Sequence, residues 1–317
     1  MAKARVLPHL RGAVDAAASG TVGPELVYSD ENCLVSVLVP GHELSEADVH
    51  GGEGGRFGDG RELVEAVAER LAELHSLKLH FLEDVVKEGA VKEGANMPNM
   101  LWSSLDAMLE QVEAHEAKSG GSVTSVVPNL TASSLRSLTS KLRAAVTELE
   151  CSTVLAGHGD FKPTNVMVTP ERKRAEAEPC VGGNKRVGQR VVLIDFELGG
   201  PNYVGFDVCK LFRTAAPTKD TAPNTAAFAA AYLLAALGRP ATAPEVALLL
   251  AEASLFLPLT WLEAGVFFRF AAACDEEGQE RWMELAEDRL GKLGEVMETF
   301  DERRKVCEEA KARVKRV

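Results

Sequence analysis

Apolar positions recur at helical spacing over most of this chain and at strand spacing over a few short runs. Leu63, Val67, Leu71, Leu74 and Leu77 fall on one stripe and predict a helix over 62–79. Val6, Leu10 and Val14 predict a shorter amphipathic helix over 4–17. The stretches 101–117 and 135–149 predict two more helices, the second with Ser133 or Ser134 as its N-cap. From Thr225 onward the pattern is helical, broken at Pro240, Pro244 and Gly278. Strands are predicted at 25–29 and 33–39 around the turn Asp30-Glu31-Asn32, with Pro40-Gly41 ending the second. Further short strands fall at 154–155, 165–168 and 191–194. The segment 50–60 is a glycine-rich loop, and 171–190 reads as a polar, extended hairpin loop.

A few strands, a hinge-like Pro-Gly, helices, a short polar hairpin and then helices again describe an α+β protein. That order fits a helical lobe carrying a small catalytic hairpin better than a doubly wound parallel sheet. There is no internal repeat.

Composition narrows the function classes. The 317 residues are 46% hydrophobic and 26% charged, enough for one large domain or two lobes. A net charge of -12 argues against sequence-independent nucleic-acid binding, which needs cations to displace counterions. An acidic surface favours a cationic small substrate. The six cysteines form no CxxC pair, so a zinc knuckle is not expected and reduced thiols in a cytoplasmic protein are. The start carries no long apolar h-region. The most apolar stretch, Leu248 to Leu262, is interrupted by Glu252 and Pro258, so membrane insertion is not expected.

Two motifs carry chemistry. The first is His158-Gly159-Asp160-Phe161-Lys162-Pro163-Thr164-Asn165, followed by the apolar Val166-Met167-Val168. Phosphoryl transfer needs a carboxylate to orient and deprotonate the attacking hydroxyl, and oxygen ligands for the magnesium that bridges the phosphates. An Asp followed five positions later by an Asn, with a strand directly after, can supply both from one loop. The second motif is Val191-Val192-Leu193-Ile194-Asp195-Phe196-Glu197. An Asp at the end of a buried strand is a hard-oxygen magnesium ligand. The polar insertion 171–190 accounts for the long separation of the two motifs.

The first motif resembles the catalytic loop of the aminoglycoside phosphotransferase and choline kinase superfamily, and more distantly that of protein kinases. Residues 193–212, with IDFE and then NYVGFD, resemble choline/ethanolamine kinases more closely. Residues 23–41 are similar to the last N-lobe strands and hinge of that family, and 62–79 to the helix after the hinge, with its Leu74-His75 pair. The resemblance implies a protein-kinase-like fold with a mostly helical C-lobe and a reduced N-terminal lobe. Residues 1–40 would be the N-lobe remnant and 41–317 the catalytic lobe, with insertions at 50–60 and 171–190. It implies Asp160 as catalytic base, Asn165 and Asp195 on Mg2+, and Glu197 near the metal or the substrate amine. Lys162 would steady the transferring phosphoryl charge; its alternative is a solvated loop lysine. His158 would brace the loop by hydrogen bonding, and Asp207 would hold the catalytic-loop backbone. Asn202 and Tyr203 would support that segment or shape the turn.

ATP would place its adenine against the hinge, with Val37, Leu38 and Val39 as candidates and plain strand core as the alternative for Val37 and Val39. The implied reaction is ATP- and Mg2+-dependent phosphorylation of a small amino alcohol, choline or ethanolamine, with a homodimer kept among the expected assemblies. Choline recognition uses aromatic faces, yet the chain has three Trp and three Tyr, and Leu198 follows the DFE. Trp261 with Glu263 is the best candidate for part of an amine pocket, with helix core as the bland alternative; the thin aromatic set favours ethanolamine or another amino alcohol over choline. The chain departs from the kinase pattern before the hinge: no glycine-rich loop and no strand-borne lysine is found there. Either the chain is cut short or it is a naturally reduced kinase. The competing functions are another small-molecule kinase of the superfamily and a non-catalytic pseudokinase.

Overall fold

The computed structural model of the chain describes residues 18–29, 34–50, 61–77, 99–118, 131–150, 153–170, 189–214, 222–275 and 277–316. The helix expected over 4–17, the glycine-rich residues 51–60 and the polar loop 171–188 lie outside them.

Two strands, β1 (Leu26–Ser29) and β2 (Leu34–Ser36), pair antiparallel, Ser29 opposite Leu34. Next come β3 (His42–Glu43), α1 (Glu46–His50) and α2 (Arg61–His75). Helix α2 buries Leu63, Val64, Val67, Leu71 and Leu74 along one face, each worth about 1.5–3 kcal/mol of transfer free energy. Helices α3 (Met100–Lys118) and α4 (Ala132–Glu148) follow. The middle of the chain carries β4 (Val154–Gly157), β5 (Val166–Pro170), β6 (Gln189–Leu193) and β7 (Gly200–Tyr203). The remainder is α5 (Val204–Phe212), α6 (Ala222–Leu237), α7 (Ala243–Leu255), α8 (Leu257–Cys274), α9 (Gln279–Met297) and α10 (Phe300–Val314).

β3, β5 and β6 form one antiparallel sheet, with Val166 opposite Leu193. β4 and β7 form a second, with Gly157 opposite Gly200. These two small sheets sit among helices: α2 packs on α6, α8 on α3 and α9, and α7 on α10. Helix α5 runs through the middle with every residue buried. The run Ala243–Cys274 is apolar and long enough to cross a membrane by composition. It is two helices meeting at Phe256, and Leu255, Phe256, Leu259, Leu262 and Val266 are buried in the core.

Several boundaries differ from expectation for local reasons. Helix α4 is capped by Thr131, not by Ser133 or Ser134, because the extended Thr131 turns its side chain onto Ser134 N. Pro244 opens α7 rather than breaking a helix: it sits in the first turn, where no N–H is needed, behind a Thr242–Glu245 capping box. β6 begins at Gln189, inside the stretch read as loop, because its register with β5 runs on to Pro170. Helix α2 gives way to a turn at Ser76. Strand β7 was not foreseen; its Gly-Pro-Asn-Tyr sequence has no alternation, and pairing with β4 holds it extended.

Candidate active site

The site is built on the loop between β4 and β5 and on the β5–β6 hairpin that follows it. After β4 the chain turns at Gly159, whose φ of +79° suits glycine and whose ideal Cβ would lie 2.1 Å from the Leu198 carbonyl oxygen. Pro163 then opens a single 3-10 turn, Pro163–Asn165, closed by Asn165 N donating to Lys162 O at 2.9 Å. Asp207, on α5, clamps the start of this loop. Its Oδ2 accepts from His158 N at 2.8 Å and its Oδ1 from Gly159 N at 2.9 Å. The same carboxylate meets His75 Nε2 at 3.2 Å, and His75 Nδ1 lies 2.8 Å from the Tyr232 hydroxyl. Asp207 is therefore the loop's anchor, in the role the resemblance implies for it. Asn202 Oδ1 accepts from Tyr203 N, and the Tyr203 hydroxyl accepts from Trp102 Nε1 at 3.0 Å, which ties β7 to α3.

His158 braces the loop as expected. Its ring lies between Phe161 and Phe196, with centroids 5.7 and 4.8 Å away. Burial holds its pKa below the ordinary histidine value despite Asp207 and Asp160 nearby. The neutral tautomer with its proton on Nε2 donates to Ile194 O at 2.9 Å and accepts from Asp160 N on Nδ1 at 3.4 Å.

Asp160 is held by three side-chain donors. Lys162 Nζ donates to its Oδ2 at 2.7 Å, Lys210 Nζ to its Oδ1 at 2.8 Å, and Asn165 Nδ2 to its Oδ2 at 3.2 Å. Lys210 is a buried cation, 3% exposed at the side chain, and its ammonium lies 2.8 Å from Glu263 Oε2 as well. Burial opposes ionisation of Asp160, but Lys210 and Lys162 outweigh it and hold the carboxyl well below the usual range. Burial likewise opposes the charge on Lys210; Glu263 and Asp160 reverse that and raise its pKa. The reading of Lys162 as a purely solvated loop lysine does not hold, because Asp160 pairs with it.

Asn165 and Asp195 are brought together by the hairpin: Val166 pairs with Leu193, and Ile194 N donates to Asn165 O at 3.0 Å. The Asn165 amide nitrogen also donates to the Asp160 backbone oxygen at 2.9 Å, so its side-chain oxygen is the end available to a cation. Asp195 is exposed and has a φ of 66°, an uncommon conformation for a non-glycine residue that turns the chain out of β6. An exposed carboxylate and an amide oxygen on residues that the hairpin backbone brings close fit Mg2+, which is held by few protein ligands plus substrate phosphates. Glu197 lies two residues on and is exposed.

The hinge candidates are open rather than packed: Leu38 is 88% and Val37 46% exposed, and Val39 is half-buried. The alternative of plain strand core fails for Val37. Val37 N is tied to Glu25 O at 2.8 Å.

The pairing of Trp261 with Glu263 in one amine pocket is corrected by the structure. Two residues apart on a helix, they point to different sides of α8. Glu263 faces Lys210, whereas the Trp261 ring is covered by Arg213, Lys292 and Arg289, at 5.0, 5.1 and 5.9 Å from its centroid. The sequence reading missed Lys210, the residue that joins Asp160 to Glu263. Its signal was a lysine inside the largely apolar helix VGFDVCKLF, whose one other charged residue is Asp207. It also missed the three cations around Trp261, which reach the ring from the residue after α5 and from α9, far apart in sequence.

A helical lobe, two small sheets and an Asp160–Asn165–Asp195 hairpin define a protein-kinase-like α+β fold. The model of the choline/ethanolamine kinase family matches residues 59–290, and the chain belongs to that family. Its solved relatives share the fold at low identity. A Plasmodium vivax ethanolamine kinase is 15% identical with a TM-score of 0.63, covering 90% of this chain and 72% of its own. A choline kinase from Cryptosporidium parvum is 12% identical with a TM-score of 0.61, covering 97% and 80%. A choline/ethanolamine kinase family protein from Mesorhizobium loti is 15% identical with a TM-score of 0.58, covering 95% and 83%. No curated protein matches the sequence.

Proposed function

We propose that this protein transfers the terminal phosphoryl group of ATP to the hydroxyl of a small molecule, with Asp160 as the residue that orients and deprotonates that hydroxyl. The observation that carries the reading is the convergence of Asp160 and Asn165 in one turn, hydrogen-bonded to each other, with Asn165 O accepting across the hairpin from Ile194 N, the residue before Asp195. Asn165 and Asp195 would hold Mg2+, which when bound neutralises charge on the transferring phosphates. An ionised Asp160 accepts the hydroxyl's hydrogen bond. In a loose transition state this positioning matters more than high basicity, so a depressed carboxyl pKa is compatible with the role. Lys162 stands beside Asp160, where its charge reaches the transferring group. Val37, Leu38 and Val39 would present backbone groups and apolar surface to adenine. Residues 1–40 would then serve as the reduced N-lobe and 41–317 as the catalytic lobe of a cytoplasmic enzyme.

Choline and ethanolamine are the acceptors that the family suggests, and Glu197 is the exposed carboxylate nearest the metal ligands in sequence that would attract an amine. A magnesium-dependent ADP-release assay against choline, ethanolamine and other small hydroxyl compounds tests the reading; no release with any acceptor overturns it. A second reading, a non-catalytic nucleotide-binding protein, is favoured by one feature: both Asp160 oxygens are already engaged by lysines. Thermal stabilisation by MgATP without turnover would select it.

A further inference from the structure

An ionised carboxylate only accepts, and each of its oxygens has room for about two hydrogen bonds. Among the described residues, Asp160 Oδ2 already takes Lys162 Nζ at 2.7 Å and Asn165 Nδ2 at 3.2 Å, whereas Oδ1 takes Lys210 Nζ alone, at 2.8 Å. The two oxygens are therefore not equivalent. The lone-pair site that stays open is on Oδ1, the oxygen facing Lys210. A hydroxyl that gives its proton to Asp160 is received there, beside the Lys210 ammonium.

That ammonium has little freedom. The Lys210 side chain is 3% exposed, with Glu263 Oε2 at 2.8 Å and the Phe206 ring centroid at 5.6 Å. Lys162, by contrast, is 39% exposed and stands on the catalytic loop itself. Lys210 and Glu263 come from α5 and α8, which pack on each other, so helix packing rather than loop conformation sets where the Lys210 charge stands. The pair also abuts the loop: Glu263 and Gly159, the residue before Asp160, line one cleft with Leu198 and Phe206.

We propose that Lys210 is a positioning residue of phosphoryl transfer: clamped by Glu263, it holds Asp160 by Oδ1 and leaves on that oxygen the site that receives the acceptor hydroxyl. The inference rests on the phosphotransferase reading. In the step, the hydroxyl proton passes to Asp160 Oδ1 as the hydroxyl oxygen bonds the terminal phosphorus of ATP. The bond from that phosphorus to the bridging oxygen breaks, and its electron pair leaves with ADP. Lys210 acts through Asp160 and fixes the direction of the receiving lone pair; misplacing a reacting group by about 1 Å costs about 10²-fold in rate. Lys162 does not fill this role, because it bonds the other oxygen.

The test separates position from stability. Lys210→Met alone leaves Glu263 unpaired, so its activity would fall with its fold. Lys210→Met combined with Glu263→Gln removes both charges of the buried pair, a replacement that is often neutral for stability. ADP release by the full chain with MgATP is measured against choline, ethanolamine and a panel of other small hydroxyl compounds, with thermal midpoints alongside. The double variant should regain most of the midpoint that Lys210→Met loses. Its kcat should stay about 10- to 100-fold below the parent, with KM for MgATP and for the acceptor within about threefold. Lys210→Arg, which keeps a cation between the two carboxylates, should retain more kcat than the double variant. Recovery of the parent kcat together with the midpoint makes Lys210 a purely structural charge and overturns the proposal, as does a loss that falls on KM alone. If the double variant does not fold, Glu263→Gln decides: it removes the clamp and leaves the Lys210 charge on Asp160, so kcat should fall several-fold at unchanged KM, and the parent kcat overturns the proposal. No ADP release by the parent with any compound removes the phosphotransferase reading and this role with it; a working parent with a fully active double variant removes the role alone.

Discussion

Lys210 Nζ lies 2.8 Å from Asp160 Oδ1, so the carboxylate assigned to the reaction is held by a lysine that arrives from a helix fifty positions later. That ammonium also neutralises Glu263; Lys210 and Glu263 are buried and Asp160 partly so.

Removing the lysine should therefore cost stability. Lys210→Met leaves the buried Glu263 without its cation and Asp160 with Lys162 alone, and breaking a buried pair costs about 3–5 kcal/mol. Denaturant unfolding should show the loss, and adding Glu263→Gln to the variant should recover part of it. An unchanged midpoint for Lys210→Met would contradict the arrangement.

The same unit sets a pH dependence at both ends. The Asp160 pKa is depressed on folding, so its contribution is complete above the unfolded carboxyl value near 4 and is lost as pH falls below it. The Lys210 pKa is raised, so its contribution is complete below the unfolded lysine value near 10.4 and is lost as pH rises through the folded one. Thermal midpoints across pH should show Lys210→Met with a flatter profile than the parent at both extremes.

Asp160→Asn should lower the rate of transfer by roughly 10²–10⁴, the usual range for a positioned acid–base group. The protein should still fold, which circular dichroism can check. Turnover at the parent rate would remove Asp160 from the chemistry.

Asp195→Asn should raise the magnesium concentration needed for half-maximal activity and leave the thermal midpoint of the nucleotide-free protein near that of the parent, because the side chain is exposed. An unchanged magnesium requirement would remove it as a ligand.

Gly159→Ala should destabilise the protein, since φ there is +79° and the new Cβ would meet the Leu198 carbonyl oxygen at 2.1 Å. Strain of this kind costs about 1–3 kcal/mol, readable as a lower denaturation midpoint. Asp207→Ala should also cost stability: it leaves two buried backbone N–H groups, those of His158 and Gly159, without their acceptor. The expected loss is about 1–3 kcal/mol for each.

Much of this arrangement was written in local pattern. The stripe Leu63–Val67–Leu71–Leu74 determined α2, and the β-branched runs beside Asn165 and Asp195 determined a hairpin, because side-chain periodicity and burial of one face are properties of neighbouring residues. The spacing of Asp160, Asn165 and Asp195 determined that a loop and a strand end would carry the polar chemistry. What only the tertiary structure decided is which charges meet. Lys210 reaches Asp160 and Glu263, and Arg213, Arg289 and Lys292 gather over Trp261, because α5, α8 and α9 pack at one place. Electrostatic partnership depends on distance through space, and helix packing sets that distance. No spacing along the chain records it, so Trp261 and Glu263, two apart in sequence, end against different cations: Arg213, Arg289 and Lys292 for the one, Lys210 for the other.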